Sequence, residues 1–203
     1  MDKTQVIIIC KSADRQRAMA RMLYYLHHYQ LEACWSSPSM LQTVEQSPQL
    51  VIMDAAFNQL LQNMPETWAK TKWIVLAGNE TEAADTLFAG AHQYVMNHDD
   101  PEVLPRLVEE TVQSGNQASL SRIIQRIKEQ TEGQVPEDPA DYDLTSKEKR
   151  ILQLMYQGVH LKGIAQQTNN SYETIRTHVK RIYRKLNVGS ASEAVVKAMK
   201  LKF

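Results

Sequence analysis

The stretch SYETIRTHVKRIYRKLNV, residues 171 to 188, carries a dense group of positively charged side chains. Its cations recur on one side of a predicted helix with no acid among them: Arg176, Lys180, Arg181, Arg184 and Lys185. Large apolar residues recur on the other side: Ile175, Val179, Ile182 and Leu186. We expect one side to be buried and the other to offer groups that bind phosphate oxygens. Because a basic face is more often simply solvated, the flanking sequence must distinguish the two interpretations.

The residues in front of this helix predict how it is positioned. Ser171 is a favourable N-cap, and Glu173 places an acid in the first helical turn. The preceding LKGIAQQTNN predicts a short helix that ends in a polar turn at residues 168–170. A helix, a tight turn and a basic helix form the arrangement that places the second helix in the major groove of DNA.

The wider sequence resembles a known family of DNA-binding domains. LTSKEKRILQLMYQGVHLKGIAQQTNNSYETIRTHVKRIYRKLNVGSASEAV, which begins at Leu144, is similar without a gap to the DNA-binding domain of LuxR/FixJ-type transcription regulators. The matching positions are Leu144, Thr145, Glu148, Leu152, Gly158, Ile164, Ala165, Ser171, Thr174, Ile175, His178, Ile182, Lys185, Leu186, Val188, Glu193 and Ala194. The sequence departs from the family pattern at Arg150, Thr168, Asn170 and Ala191, which leaves the basic face unchanged.

This resemblance implies that the protein binds double-stranded DNA as a homodimer. It implies that three side chains of the basic helix face base edges, namely Arg176, Thr177 and Lys180. It also implies phosphate contacts from Ser171, Thr174, Arg184 and Lys185. The last helix, SEAVVKAMKLKF, can be capped by Ser192 and carries more apolar surface than a small helical core needs. We therefore expect this helix to help form the dimer.

Charge is divided unevenly along the chain of 203 residues, whose formal net charge is zero. Residues 144–203 hold twelve Lys and Arg residues and three acidic residues, a net charge of +9. Residues 1–143 hold eleven Lys and Arg residues and twenty acidic residues, a net charge of −9. A basic module joined to an acidic one is typical of a nucleic-acid-binding domain attached to a second domain. We predict a regulatory domain over 1–114, a linker over 115–143 and a DNA-binding domain over 144–203.

The first 114 residues alternate apolar strands with helical segments. The strand-like runs are TQVIIIC, LEACW, LVIMD, WIVLAG and QYVM. Helices are predicted at ADRQRAMARMLYYLHHY, at SMLQTVEQ, over residues 60–70, at TEAADTLFAGA and at PEVLPRLVEETVQ. Five strand–helix units predict a doubly wound (βα)5 domain, so the expected fold class is α/β followed by an all-α helix-turn-helix domain. In a doubly wound fold, ligand chemistry collects at the carboxyl ends of the strands.

The N-terminal part resembles a response-regulator receiver domain over roughly residues 4 to 114, in pattern more than in identity. LVIMD ends the third strand at Asp54, and AGAHQYV leads into the fifth. By this resemblance, a working receiver has an acid pair for Mg²⁺, a phosphoacceptor Asp, a Ser or Thr, and a Lys. Asp54 is kept, but the other positions hold Cys10 and Lys11 for the acids, Ala77 for the hydroxyl and Asn97 for the lysine.

These replacements predict a degenerate, pseudo-receiver pocket. Phosphoryl transfer needs a metal and fixed cations to neutralise developing charge, and a hard divalent ion needs carboxylate ligands. With Cys10 and Lys11 at the acid positions, we expect Mg²⁺ to bind poorly beside Asp54. Two interpretations of Lys11 stay open: it pairs with Asp54, or it is a solvated lysine at a strand end.

The segment between the two domains contains SLSRIIQRIKEQ, followed by the Pro- and acid-rich EGQVPEDPADYD. Leu120, Ile123, Ile124 and Ile127 line one face of the predicted helix, which is too much apolar surface for an isolated solvated helix. This helix should dock on a domain or pair with its copy in a second chain. The dimer contact stays open between this helix, the receiver-like domain and the C-terminal helix.

Several classes of protein are disfavoured by the sequence. It has no Gly-rich phosphate loop, nucleophile elbow or metal-binding cluster, so we expect neither an enzyme nor a bound cofactor or metal. It has no run of apolar residues long enough to span a membrane and no cleavable signal pattern, which predicts a soluble cytoplasmic protein without membrane contact.

The sequence thus predicts a DNA-binding transcription regulator whose control does not need phosphorylation. Control would come from protein abundance, a protein partner or a small-molecule effector of unidentified class. The first alternative is an orthodox phosphorylated two-component response regulator. The second is a protein-binding adaptor or antagonist whose DNA-binding module is vestigial.

Overall fold

The computed structural model describes residues 3–44, 46–62, 66–96, 103–113, 117–131 and 142–201. Within them, a parallel sheet with helices on both faces is followed by a helical C-terminal domain. The predicted combination of a doubly wound α/β fold with an all-α fold is therefore confirmed. Asn97 and most of the predicted Pro-rich linker lie outside the described residues.

The sheet places the carboxyl ends of its strands along one edge. Its strands are β1 Thr4–Ile9, β2 Tyr29–Trp35, β3 Leu50–Asp54, β4 Lys72–Ala77 and β5 Gln93–Met96. They lie in the order β2-β1-β3-β4-β5, and each neighbouring pair is parallel. Because Asp54 ends β3 and Ala77 ends β4, both residues lie at the edge where the receiver pocket was predicted.

Helices cover both faces of the sheet because successive strand residues point to opposite sides. The helices of this fold are α1 Ala13–Tyr25, α2 Gln59–Gln62, α3 Glu80–Ala89 and α4 Val103–Gln113. Residues such as Met19 of α1 and Val108 of α4 pack on one face, against Ile8 and Ile52. Leu87 of α3 belongs to the apolar cluster on the other face.

Two predicted helices are shorter than the sequence indicated. In place of a helix at SMLQTVEQ, the structure has a 3₁₀ helix over Pro38–Thr43, and the β-branched Thr43 and Val44 disfavour its continuation. In place of one helix over residues 60–70, it has the short α2 and a 3₁₀ segment, Glu66–Trp68. Residues 63–65 lie outside the described residues, and the sequence holds a proline among them, which lacks the N–H that a continuous helix requires.

The C-terminal domain is built from four further helical segments: α6 Ser146–Tyr156, α7 Leu161–Gln167, α8 Tyr172–Leu186 and α9 Ala191–Lys200. Helix α6 starts with a capping box, in which the Thr145 hydroxyl accepts from the Glu148 N–H and the Glu148 carboxylate accepts from the Thr145 N–H. Gly158 follows α6 with a φ of 80°, a conformation that favours glycine. These local signals fix the start and the end of α6.

Helix α5, Gln117–Thr131, lies against α3 of the N-terminal fold and against α9 of the C-terminal domain. The apolar face that the sequence predicted for it is buried: Leu120, Ile123, Ile124 and Ile127 are between 0% and 6% exposed. Of the two outcomes that the sequence left open, the structure has the helix docked within its own chain.

The apolar surface of α9 that the sequence left for a second chain is also covered within the same chain. Ala194, Val195 and Ala198 are buried, and α9 packs on α3, α5, α6 and α8. The N-cap of α9 is Ser190 instead of the predicted Ser192, and its hydroxyl accepts from the Glu193 N–H at 3.2 Å. The sequence could not distinguish packing of α9 within the chain from packing on a second chain, because α3 and α5 are distant from α9 along the sequence.

None of the helices in the described ranges combines the length and the apolar character that crossing a lipid bilayer requires.

Candidate nucleic-acid interface

Helices α7 and α8 are joined by a tight turn, as the sequence predicts. Thr168 is the C-cap of α7, and Asn169 has a φ of 51°, which asparagine tolerates better than most residues. The Asn170 N–H donates to the Ala165 carbonyl at 2.9 Å, and its side-chain oxygen accepts from Lys147 Nζ at 3.1 Å. These bonds fix the direction in which α8 leaves the turn.

Helix α8 begins at a capped end with two hydroxyl groups. The Ser171 hydroxyl accepts from the Thr174 N–H at 3.1 Å and lies 2.8 Å from the Thr174 hydroxyl. Glu173 in the first turn and Arg184 in the last complement the helix dipole, and Asn187 ends the helix with a φ of 54°. Ser171 and Thr174 therefore lie where a helix end can receive an anion.

The solvent-facing side of α8 carries a cationic surface. Besides Glu173 in the first turn, the exposed residues of α8 are Thr177, Lys180, Arg181 and Arg184, and we call these four the outer face of α8. The buried residues on the opposite side are Ile175, Val179, Ile182 and Leu186. The Thr177 hydroxyl donates to the Glu173 carbonyl at 3.0 Å, and α8 packs mainly on α6, α7 and α9. The outer face is thus exposed to solvent, while the opposite side of α8 packs on α6, α7 and α9.

Arg176, which the resemblance places toward base edges, is partly covered. Its guanidinium lies 3.1 Å from Glu173 Oε1 and 6.0 Å from the centre of the Tyr172 ring. The Arg176 side chain is 21% exposed, whereas that of Glu173 is 72% exposed. Because an ion pair with so exposed a partner is worth at most about 1 kcal/mol, exchanging Glu173 for an anionic ligand is inexpensive.

Lys185, for which the resemblance implies a phosphate contact, is bound inside the C-terminal domain. Its ammonium donates to Glu148 Oε2 at 2.8 Å and to the Asp143 carbonyl at 2.7 Å. Burial by itself would raise the pKa of Glu148, but hydrogen bonds from Lys185 and Thr145 lower that pKa overall. Lys185 therefore ties the last turn of α8 to the first turn of α6.

His178 lies on α8 next to two cations. Burial lowers its pKa, and the charges of Lys147 and Arg181 lower it further, so the imidazole is neutral at pH 7. Its Nδ1 is buried and has no hydrogen-bond partner in the part of the chain that the structure describes. A neutral imidazole adds no charge to the outer face.

The predicted receiver pocket places Asp54 among hydrogen-bond donors. The Lys11 N–H donates to Asp54 Oδ2 at 2.7 Å, and Cys10 Sγ lies 3.5 Å from Asp54 Oδ1. Arg15 Nη1 lies 3.8 Å from the same oxygen, with side chains 40% and 14% exposed for Arg15 and Asp54. Asp54 is therefore held by a backbone amide and faced by a guanidinium.

None of the other described pocket residues points a charged side chain at Asp54: Ala77 is apolar, Cys10 is neutral, and the Lys11 side chain lies against Phe57. Burial is the largest cause that raises the pKa of Cys10, so its thiol is protonated at neutral pH. Ala77 is fully buried at the end of β4. The ammonium of Lys11 lies 5.4 Å from the centre of the Phe57 ring, so its side chain contacts an aromatic face, and its main chain contacts Asp54.

Two residues of these sites were missed by the sequence reasoning. Arg15, in the first turn of α1, faces Asp54 and takes the role that the sequence allowed for the Lys11 side chain. Its position one turn after the Ser12 N-cap, just beyond β1, could have indicated this. Arg181 was counted on the basic face but not among the contact residues, although it is exposed next to Lys180.

Comparison with known proteins agrees with the helical geometry. Residues 143–198 match the family described as "Bacterial regulatory proteins, luxR family". The nitrate/nitrite response regulator protein NarP of Escherichia coli K12 is 33% identical over 108 residues, which are 53% of this chain and 49% of NarP. The regulator MalT of Vibrio campbellii is 39% identical over 67 residues, which are 33% of this chain and 7% of MalT. The chain thus spans about half or less of the length of these relatives.

A third relative and several solved structures cover more of the chain. The transcriptional regulatory protein YhcZ of Bacillus subtilis is 28% identical over 165 residues, which are 77% of this chain and 76% of YhcZ. RcsB of Salmonella enterica serovar Typhimurium, bound to a promoter in the presence of phosphomimetic BeF3−, is similar with a TM-score of 0.56 and 19% identity, over 97% of this chain and 98% of RcsB. The complex of the two-component response regulator RcsB with DNA has a TM-score of 0.51 and 18% identity, over 98% of both chains. At this identity, the structures show the fold alone.

The class of the protein follows from the fold and these matches. The C-terminal domain is a LuxR-family helix-turn-helix domain, and the N-terminal domain has the receiver-like fold of response regulators.

The contact between Glu148 and Lys185 gives a test of the packing behind α8. Glu148→Gln removes the charge that holds Lys185, so we expect a loss of about 1–3 kcal/mol in unfolding free energy at pH 7. Because the pKa of Glu148 is lowered in the folded protein, its contribution is present above the usual glutamate pKa of 4.5 and is lost as the pH falls through the lowered value. The difference between variant and wild type should therefore shrink in acid. Urea unfolding at several pH values measures this, with the exposed Glu173→Gln as control; equal stability of Glu148→Gln and wild type at pH 7 would contradict the assignment.

Proposed function

We propose that this protein is a sequence-specific, double-stranded-DNA-binding transcription regulator of the LuxR/NarL response-regulator type. The observation that carries this proposal is the outer face of α8, whose three cations are exposed while the opposite side of the helix is buried. Cations set on a rigid helix after a tight turn fit the phosphates and base edges of a major groove. The relatives NarP and MalT support it, since both are regulators.

The residues of α8 divide into two proposed roles. Thr177, Lys180 and Arg176 contact base edges, with Arg176 exchanging Glu173 for DNA. Phosphate contacts come from the remaining polar and cationic residues, namely Ser171, Thr174, Arg181 and Arg184. Lys185, bound to Glu148, supports α8 from behind and makes at most a secondary phosphate contact.

A homodimer is the proposed DNA-bound form, because a two-fold dimer presents two copies of α8 to half-sites about one helical turn apart. One similar structure consists of two RcsB dimers bound to two parallel DNAs, which supports this form by analogy. The proposed place of action is the bacterial cytoplasm, where chromosomal DNA lies. No enzymatic activity is part of the proposal.

Control independent of Asp54 phosphorylation is the second part of the proposal. Asp54 already accepts from the Lys11 N–H and faces the Arg15 guanidinium, so its carboxylate has a hydrogen-bond donor and a cation beside it without a bound metal. Ala77 offers no hydroxyl to a phosphoryl oxygen, and Cys10 offers a neutral thiol in place of a carboxylate. Control then comes from abundance, or from a protein or small-molecule effector that binds one arrangement of the two domains better than another.

Two substitutions on the outer face separate base contacts from phosphate contacts. Lys180→Ala should weaken binding to the specific site by about 1–3 kcal/mol and relax sequence preference, because a base contact is lost. Arg184→Ala should weaken all sequences alike and reduce the slope of log affinity against log salt by about one. Binding isotherms on specific and random duplexes over a salt series measure both.

The matched control for these variants is Lys70→Ala, which removes an exposed cation from the N-terminal fold and should change neither affinity nor slope. If Lys180→Ala loses the same affinity on specific and random DNA, Lys180 does not contact bases. If the wild type shows no affinity for duplex DNA even at low salt, the adaptor alternative is favoured instead.

Phosphorylation has a direct test by mass. Acetyl phosphate with Mg²⁺ should leave the intact mass unchanged, because the pocket holds neither a second carboxylate at residue 10 or 11 nor a hydroxyl at residue 77. Asp54→Asn, which keeps the size of the side chain, should retain DNA binding. One added phosphoryl group on Asp54, accompanied by higher affinity for the specific site, would return the protein to the orthodox response regulators.

A further inference from the structure

A cavity lies along the outer edge of β5, away from the pocket around Asp54. Strand β5 ends the strand order, so its outer edge has no neighbouring strand among the described residues. Helix α4 packs on one face of the sheet and α5 on the other, and the cavity opens between them with a volume of about 460 Å³. This volume lies within the range of small-molecule binding sites. We call this space the edge cavity.

Helix α5 lines the edge cavity with cations. Arg122 and Arg126 are exposed and lie one helical turn apart, so their side chains project from the same side of α5. Arg122 Nη2 donates to Ser119 Oγ at 3.3 Å, and Arg126 Nη1 lies 3.7 Å from Glu80 Oε1, beyond hydrogen-bonding distance. A guanidinium carries several N–H donors, so one such contact does not exhaust it. Two guanidinium groups at this spacing can bind the oxygens of one phosphate.

A buried amide adds further donors to the edge cavity. Gln93 lines the cavity and is only 6% exposed. Its Oε1 accepts from the Tyr94 N–H at 3.2 Å, which sets the orientation of the amide because that N–H requires an acceptor. The Gln93 Nε2 group has no hydrogen-bond acceptor among the described residues. Buried donors without a partner are costly, so this group favours a ligand that brings an acceptor.

Another part of the lining is apolar. Tyr94 of β5 and Leu107 of α4 are half-buried and line the edge cavity. A bare phosphate ion would leave this surface uncovered, whereas a flat ring attached to the phosphate can pack on an aromatic side chain. None of the described lining residues is acidic. The lining therefore matches a molecule with an anionic end and a flat body.

We propose that the edge cavity binds a small phosphate ester with a flat ring system, of the class of the nucleoside 5′-monophosphates. Arg122 and Arg126 bind the phosphate, and the ring packs against Tyr94 and Leu107. The Gln93 Nε2 group donates to an oxygen or nitrogen of the ligand. Helix α5 packs on both α3 and α9, so the ligand is held by the helix that contacts both folds. Its use as a regulatory effector rests on the proposed function, whereas binding itself does not.

Isothermal titration calorimetry on the full-length chain without DNA tests the site. The probes are adenosine and guanosine 5′-monophosphate, with inorganic phosphate and the two unphosphorylated nucleosides as matched ligands. At least one ester should bind with a Kd below about 1 mM, and at least about tenfold more tightly than inorganic phosphate or its own nucleoside. The affinity should fall as salt is added, because exposed arginines are screened.

Substitutions on α5 locate the bound ester. Arg122→Gln and Arg126→Gln should each raise the Kd at least about tenfold, because charge-assisted hydrogen bonds are lost. Gln125→Glu places a carboxylate in the lining between the two arginines and should weaken binding similarly. The matched control is Arg106→Gln on α4: Arg106 is exposed, pairs with Glu110 and does not line the cavity, so this variant should bind as the wild type does. All four positions tolerate the change without loss of a buried contact, which the midpoint of urea unfolding checks.

The site is refuted if neither ester binds below about 1 mM, or if Arg122→Gln and Arg126→Gln both bind as tightly as the wild type. Equal affinity for inorganic phosphate and for the esters would refute the packing of a ring on Tyr94. Duplex affinity that is the same with and without saturating ester would refute the effector role while leaving the site in place. Failure of the proposed function would be seen separately, in the duplex isotherms without ester.

Discussion

The burial of one side of α8 is the constraint on which the rest of the structure depends. Ile175, Val179, Ile182 and Leu186 are between 0% and 5% exposed, and burial of a large apolar side chain contributes about 1.5–3 kcal/mol. Turning the helix by half a revolution would expose these residues and force cations into an apolar core, which is far more costly. The protein core therefore determines which residues point outward, and the cationic face is exposed in the chain without a bound ligand.

The elements around α8 serve this orientation. The turn before it is fixed by Asn169 and by the hydrogen bonds of Asn170, and its last turn is tied to α6 through Lys185 and Glu148. Helix α9 packs behind it and is itself held by α3 and α5 of the preceding part of the chain. The receiver-like fold is thus packed directly against the C-terminal domain through α3, α5 and α9.

The sequence predicted those features that depend on neighbours along the chain. The stripe of α8 and the continuous apolar runs of the central strands are local, so spacing and residue type were sufficient. The helix-turn-helix is such a feature, and its family match spans residues 143–198. The apolar face of α5 was also visible, although the surface that covers it was not.

Contacts between distant segments could not be read from the sequence. Spacing gave no sign that Ser192 bonds to Asp85 instead of capping α9. The position of Arg15 made it a candidate but did not decide between Arg15 and the Lys11 side chain as the group that faces Asp54. Two predicted helices are replaced by short segments. The prediction relied on the spacing of apolar residues and gave too little weight to the proline and β-branched residues in these stretches, which disfavour a helix. The contact residues on DNA stay predictions, since they depend on a second molecule.

Lysine acetylation of the wild-type chain, with and without saturating duplex DNA, tests the central claim most directly. The reactivity of each lysine is measured by peptide mass spectrometry. Lys180, exposed on the outer face, should react readily in the free protein and be strongly protected by DNA, while the exposed Lys70 should react equally in both states. Lys185, bound to Glu148, should react slowly in both. Equal reactivity of Lys180 with and without bound DNA would contradict the assignment of the outer face of α8 as the DNA-binding surface.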